Sequence, residues 1–307
     1  MKKILQIAFL ANLLFASLAF ANDNSTAPDF VESEKITNIA NFWQATNKSG
    51  IGPMLPQIPS WDNRGFLIAS WSPAADYLNA PTFIIMHGGG GSGTMHFKIA
   101  QDIQEQYKAN VLILDSFWSR GRKRNTAPDA REHTRVINAT HRVYDLLAAG
   151  KWLQEKGIKP NNVFPIGESQ GGMVVMRAFT EGTDFAVDIK KYFSKGIVLW
   201  PACHWFDADH TRAHTVGPYH SPVLIISGGR DYGSPIELCP TRAVKSAEHV
   251  HWPEATHAWM IATHGPWKTR EDGNCDQYIE NRGQRIPMCY SETRTKETFR
   301  KIQQFIQ

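Results

Sequence analysis

The chain has 307 residues, of which 42% are apolar and 20% charged, with a formal net charge of +4. That length suffices for one large α/β domain with a substantial core. The near balance of charge and the lack of a basic tract argue against nucleic acid as the main partner.

The N-terminus reads Met1-Lys2-Lys3, then an apolar run over 4–20, then Ala19-Phe20-Ala21. A basic start, a short apolar core and small residues before a cleavage point make a secretory signal peptide ending at Ala21. Spanning a bilayer takes about 20 apolar residues, so this core is too short for a comfortable span, although an uncleaved anchor is the alternative. No later segment qualifies as a membrane helix. The expected mature protein is residues 22–307, one domain, periplasmic or secreted, with no stable membrane insertion. Its charge is lower by two, because Lys2 and Lys3 leave with the leader.

Residues 22–60 are polar and mixed, with one helix expected at 31–45. Strands are expected at 65–71, 81–86, 110–115, 162–166, 196–200 and 222–227, with a weaker one at 248–252. Most are continuous apolar runs, as in strands covered on both faces. Helical spacing of apolar residues marks 94–107, 136–156 and 295–306. Strands alternating with helices predict a doubly wound, mostly parallel sheet with helices on both faces. Two loop-rich stretches, 203–220 and 264–294, are placed to cover a site.

In such a sheet, functional groups gather beyond the C-terminal ends of the strands. The strand at 81–86 ends in His87 and the glycines 88–91. Glycine lets main-chain amides approach a ligand closely. The run lacks Gly-Lys-Ser/Thr, so it is not a nucleotide loop. The strand at 162–166 ends in Gly167-Glu168-Ser169-Gln170-Gly171, before a helix-like run. This sharp turn exposes Ser169 as a nucleophile. The amide of Gln170, with that of Gly88 or Gly89, forms the expected oxyanion hole. Asp231 ends the strand at 222–227, where a carboxylate can fix a histidine tautomer. Asp209 and Asp272 compete for that role. His257 follows the last strand as the expected base, with His264 as runner-up, while His249 and His251 read as structural.

Arg120 is a candidate holder of a substrate carboxylate, against an ordinary ion-pair role. Trp118 is a candidate pocket residue, as are Phe117, Trp205, Trp252 and Trp259, against plain packing. The four cysteines allow three pairings, and Cys203–Cys239 with Cys275–Cys289 is favoured. The histidines and carboxylates between 203 and 220 match no standard metal spacing.

These residues resemble the dienelactone-hydrolase branch of the α/β-hydrolase superfamily. The resemblance rests on His87-Gly88, Asp115-Ser116-Phe117 with Arg120-Gly121, Gly167 to Gly172, Gly228 to Asp231 and Ala255 to Ala258. It spans about residues 65–306. It implies the α/β-hydrolase fold, the chain order Ser169, Asp231, His257 for a catalytic triad, and hydrolysis of esters, lactones or related acyl compounds without a cofactor. The founding members carry cysteine at the nucleophile position, and Ser169 stands here, which favours a general carboxylic-ester substrate. Two readings from other classes stay open on the sequence: a non-catalytic periplasmic binding protein on the same fold, and a metal-binding protein using the 203–220 cluster.

Overall fold

The computed structural model describes residues 56–120, 137–203, 216–261, 278–281 and 284–307. The expected leader, the helix expected at 31–45, Cys275, Trp205, His264, Asp209 and Asp272 lie outside the described residues, as does most of the 203–220 cluster.

The strands are β1 (Gln57–Pro59), β2 (Phe66–Ser72), β3 (Thr82–Met86), β4 (Asn110–Asp115), β5 (Val163–Glu168), β6 (Gly196–Leu199), β7 (Val223–Gly228) and β8 (Glu248–Trp252). They form one sheet in the order β1-β2-β4-β3-β5-β6-β7-β8. From β3 to β8 neighbouring strands pair in parallel; β2 pairs antiparallel with both β1 and β4. A short hairpin, β9 (Tyr278–Asn281) with β10 (Gln284–Pro287), stands apart from this sheet. The helices are α1 (Thr94–Tyr107), α2 (Ala139–Glu155), α3 (Gln170–Ala178), α4 (Ala186–Tyr192), α5 (Thr241–Lys245) and α6 (Glu292–Ile306).

Alternation along each strand sends side chains to two separate cores. Leu67, Ala69, Ile84, Met86, Leu112, Leu114 and Val198 pack under α2, α3 and α4. Ile68, Phe83, Ile85, Ile113, Ile166, Leu224 and Ile226 pack under α1 and α6. Residues of β3 to β7 are buried throughout, because helices cover both faces. The edge strand β8 is mostly exposed, which explains its weaker apolar signature. The helix starts are locally capped. The Asn138 side chain accepts the His141 amide at α2, and Ser291 accepts that of Arg294 at α6. That cap starts α6 at Glu292, three residues before the expected 295.

The chain crosses from β3 out to β4, then returns to place β5 on the other side of β3. That reversal is a topological switch point, where a crevice opens beyond the strand ends. The glycine loop after β3 and the turn after β5 therefore face each other. Their closeness is enforced by the main chain. A Cβ on Gly171 would lie 1.9 Å from the Met86 carbonyl oxygen, and one on Gly167 would lie 2.1 Å from that of Gly171. Gly171→Ala should therefore yield little folded protein, because the contact is backbone on backbone and cannot be relieved by a rotamer change; soluble yield and thermal unfolding check this.

Candidate active site

Ser169 occupies the tip of the turn between β5 and α3. It is half-buried, with φ 52° and ψ −116°. This is a costly conformation for a residue with a Cβ. Hydrogen bonds on both sides hold it: its amide donates to Leu199 O at 3.1 Å, and its carbonyl accepts from Ala202 N at 3.1 Å. Trp200 and Ala258, next to His257, also have positive φ. Backbone strain thus collects at the same edge of the sheet.

Asp231 and His257 are both buried. Asp231 Oδ2 lies 2.8 Å from His257 Nδ1. Its other oxygen accepts the Ser234 amide at 2.9 Å. A carboxylate there accepts Nδ1–H, which leaves the Nε2 lone pair of His257 as the basic site. Burial pushes the His257 pKa down, but the charge and hydrogen bond of Asp231, with the charge of Glu168, more than offset it. The net shift is upward from 6.5. The ring packs edge-on against Trp200, with centroids 6.3 Å apart.

The two candidate glycine donors differ. Gly88 is buried and its amide donates to Glu168 Oε1 at 2.7 Å. It is committed inside the fold, so the expectation that Gly88 serves as an oxyanion donor is corrected. Gly89 is half-buried and lies against Gln170, where a Cβ would meet the side chain at 3.0 Å. Gln170 is the first residue of α3, so its amide sits at the positive end of that helix. Gly89 and Gln170 remain the candidate pair.

The shell beneath the glycine loop is polar and buried. His87 Nε2 accepts the Ser116 amide at 3.1 Å, so the proton is on Nδ1, which donates to Gly88 O at 2.7 Å. Burial and the nearby Arg142 charge hold its pKa well below 6.5. Asp115 accepts the amides of Phe117 and Trp118 at 2.8 and 2.6 Å, and also the Ser92 hydroxyl. His87 and Asp115 therefore brace the glycine loop.

Arg120 forms a bidentate pair with Asp145 on α2, at 2.9 and 2.7 Å, and also donates to Ser116 O. The pair is buried, so the guanidinium is not offered to a substrate carboxylate and that expectation is corrected. The aromatic candidates divide as well. Phe117 and Trp259 are fully buried and belong to the packing; Trp259 bonds Thr298 at 3.1 Å. Trp252 lies under Arg294. Trp118 is half-buried against the core beneath α1 and α6. His249 and His251 both contact Ser227 Oγ, at 2.8 and 2.9 Å, across β7 and β8. Of the 203–220 cluster, His220 stacks on Phe179 and bonds Ser221. Among the described residues no group of three or more histidine, cysteine or acidic side chains is arranged to hold a metal ion.

Cys203, after β6, is joined to Cys239, after β7, with Cα atoms 4.9 Å apart. Cys289 is also disulfide-bonded, and its expected partner lies outside the described residues. No helix among those described is long and apolar enough to cross a membrane.

Sequence reasoning assigned no role to Glu168, yet it is a buried acid with three hydrogen-bond partners at the site. Its partners are Gly88, His96 and Trp200. The only signal in the sequence was an ionisable residue on a strand end destined for burial. The Arg120–Asp145 pair gives a direct test of the surrounding shell. Asp145→Ala leaves Arg120 charged and buried, and should cost about 3–5 kcal/mol, read from urea denaturation.

No protein-family model matches the chain, and no curated protein does. Solved structures do. A protein described as a dienelactone hydrolase from Klebsiella pneumoniae superposes with a TM-score of 0.58 at 15% identity, covering 82% of this chain and 97% of that one. An esterase from Pyrobaculum calidifontis gives a TM-score of 0.50 at 17% identity, covering 74% and 84%. An esterase from Thermogutta terrifontis gives 0.50 at 18%, covering 71% and 89%. At such identities the likeness carries the architecture and leaves the chemistry to the residues. The strand order, the strand–turn–helix at Ser169 and these superpositions together show that the chain has the α/β-hydrolase fold, in the form shared with dienelactone hydrolase and esterase structures.

Proposed function

We propose that the chain is an exported serine hydrolase that cleaves carboxylic esters or related small acyl compounds through an acyl-enzyme. The observation that carries the proposal is the Asp231–His257 contact of 2.8 Å beside the strained turn of Ser169. Ser169 Oγ attacks the acyl carbonyl while His257 Nε2 takes its proton. Asp231 holds the ring tautomer and stabilises the imidazolium. The amides of Gly89 and Gln170 receive the developing oxyanion. The imidazolium then gives its proton to the departing alcohol. Water, activated by the same ring, releases the acid and regenerates Ser169. The export part draws on the leader-like residues 1–21 and on the Cys203–Cys239 bond, since disulfides persist in oxidising compartments.

Ser169→Ala should lower kcat on p-nitrophenyl acetate by at least about 10³-fold, and it should abolish labelling by a fluorophosphonate probe. Wild-type turnover in that variant would exclude the nucleophile. The pH dependence has a defined sign. His257 works as a base only when neutral, and its pKa is raised. Activity should therefore fall as pH drops through that raised pKa. The acid limb of kcat/KM should lie above the ordinary histidine value of about 6.5, measured on the free enzyme at low substrate concentration.

A further inference from the structure

We propose that Glu168 is a positioning residue for this chemistry: its buried carboxylate pins the oxyanion loop above Ser169 and presents a second negative charge to His257. The inference rests on the serine-hydrolase reading above.

Three elements converge on this one side chain. Oε1 accepts the Gly88 amide at 2.7 Å and His96 Nε2 at 3.0 Å; Oε2 accepts Trp200 Nε1 at 3.2 Å. The His96 ring donates from Nε2 because its Nδ1 accepts the Gly93 amide at 3.0 Å. The glycine loop, the start of α1 and the residue after β6 are thereby tied to the residue before the nucleophile.

The consequence for the loop follows from peptide geometry. The Gly88 amide is fixed by Glu168, and the Gly88 carbonyl accepts from the His87 ring at 2.7 Å and from the Gly91 amide at 3.2 Å. In a planar trans peptide the N–H of the next residue points opposite to that carbonyl. With the carbonyl turned inward to His87, the Gly89 N–H is turned away from it, outward. His87 thus sets the direction of that N–H, and Glu168 anchors the peptide plane just before it, so the loop is held from both sides without either residue touching the substrate.

The consequence for His257 is electrostatic. A buried carboxylate is unfavourable unless donors compensate it. Burial opposes its ionisation, but the hydrogen bonds from His96 and the Gly88 amide, with the nearby His257, more than offset this. The carboxyl is held below its ordinary value. Its donors are an amide, an imidazole and an indole. The indole that donates to Oε2 also packs edge-on against the His257 ring, with centroids 6.3 Å apart, so the positive charge that forms on His257 during acyl transfer has an ionised carboxylate one ring away, in surroundings that screen poorly. The ionisable groups concerned are His96 on α1, His257 after β8 and Asp231 after β7. His87 after β3 adds a further ring 6.2 Å from that of His96.

The test uses the full chain, p-nitrophenyl acetate and a pH series. Glu168→Gln keeps the shape and removes the charge. It should lower kcat by about tenfold to a hundredfold with little change in KM, and move the acid limb of kcat/KM to lower pH. A limb that stays in place overturns the inference, whatever happens to kcat; so does a wild-type kcat. Where Glu168→Gln does not fold, Trp200→Phe serves instead. It removes the N–H on Oε2 and part of the ring packed against His257, leaves the carboxylate less compensated, and should move the limb to higher pH; an unmoved or lowered limb overturns the inference. Ser169→Ala run alongside separates the two claims. If that variant stays active, the nucleophile reading falls and this inference with it. If it is inactive while Glu168→Gln behaves as wild type, this inference alone falls.

Discussion

The candidate active-site edge depends on a contact with no side chain in it. The main chain at Gly171 lies against the carbonyl at the end of β3, so closely that a single added carbon would sit 1.9 Å from oxygen. This fixes how near the start of α3 comes to β3. It also fixes the distance between the turn carrying Ser169 and the glycine loop that follows Met86. The two parallel strands would be neighbours in any doubly wound sheet. This close approach brings their ends near enough for the proposed oxyanion site to draw on both. The strained φ of Ser169 is the local cost, and the hydrogen bonds to Leu199 and Ala202 on β6 and beyond sustain it.

Around that contact the protein builds a polar shell rather than an apolar one. Asp115, His87, Arg142, His96 and Glu168 are all buried, and each is engaged by neighbours on other elements. Such a network is favourable only if its members are matched, and then it fixes one arrangement. Its members carry little of the proposed chemistry themselves. They specify which amides point inward and which point outward, a question that packing alone leaves undetermined.

Much of this was legible in the sequence. The central strands were visible because burial on both faces requires continuous apolar runs, and the strands from β2 to β8 fall within two residues of those runs. The Gly-x-Ser-x-Gly turn was visible because steric exclusion leaves glycine at fixed offsets. Other features were hidden for physical reasons. The strand β1 has only three residues and pairs at an edge. Helices α4 and α5 are too short for a periodic signal. The choice between Gly88 and Gly89 depends on a carboxylate 80 residues away. The fate of Arg120 depends on Asp145, 25 residues on. Partners at such separations leave no trace in local pattern, and Glu168 was opaque for the same reason.

The Cys203–Cys239 bond closes a loop of 36 residues that contains β7 and the acid Asp231. In the chain-entropy picture, closing a loop of that length removes roughly 4 kcal/mol of freedom from the unfolded chain. The bond also staples the segment leaving β6 to the segment leaving the acid turn. The chain on either side of the acid is thereby held at two points, by β7 and by this bond. Full anchorage of the proposed triad is in this sense a property of the redox surroundings in which the chain folds, as well as of its sequence.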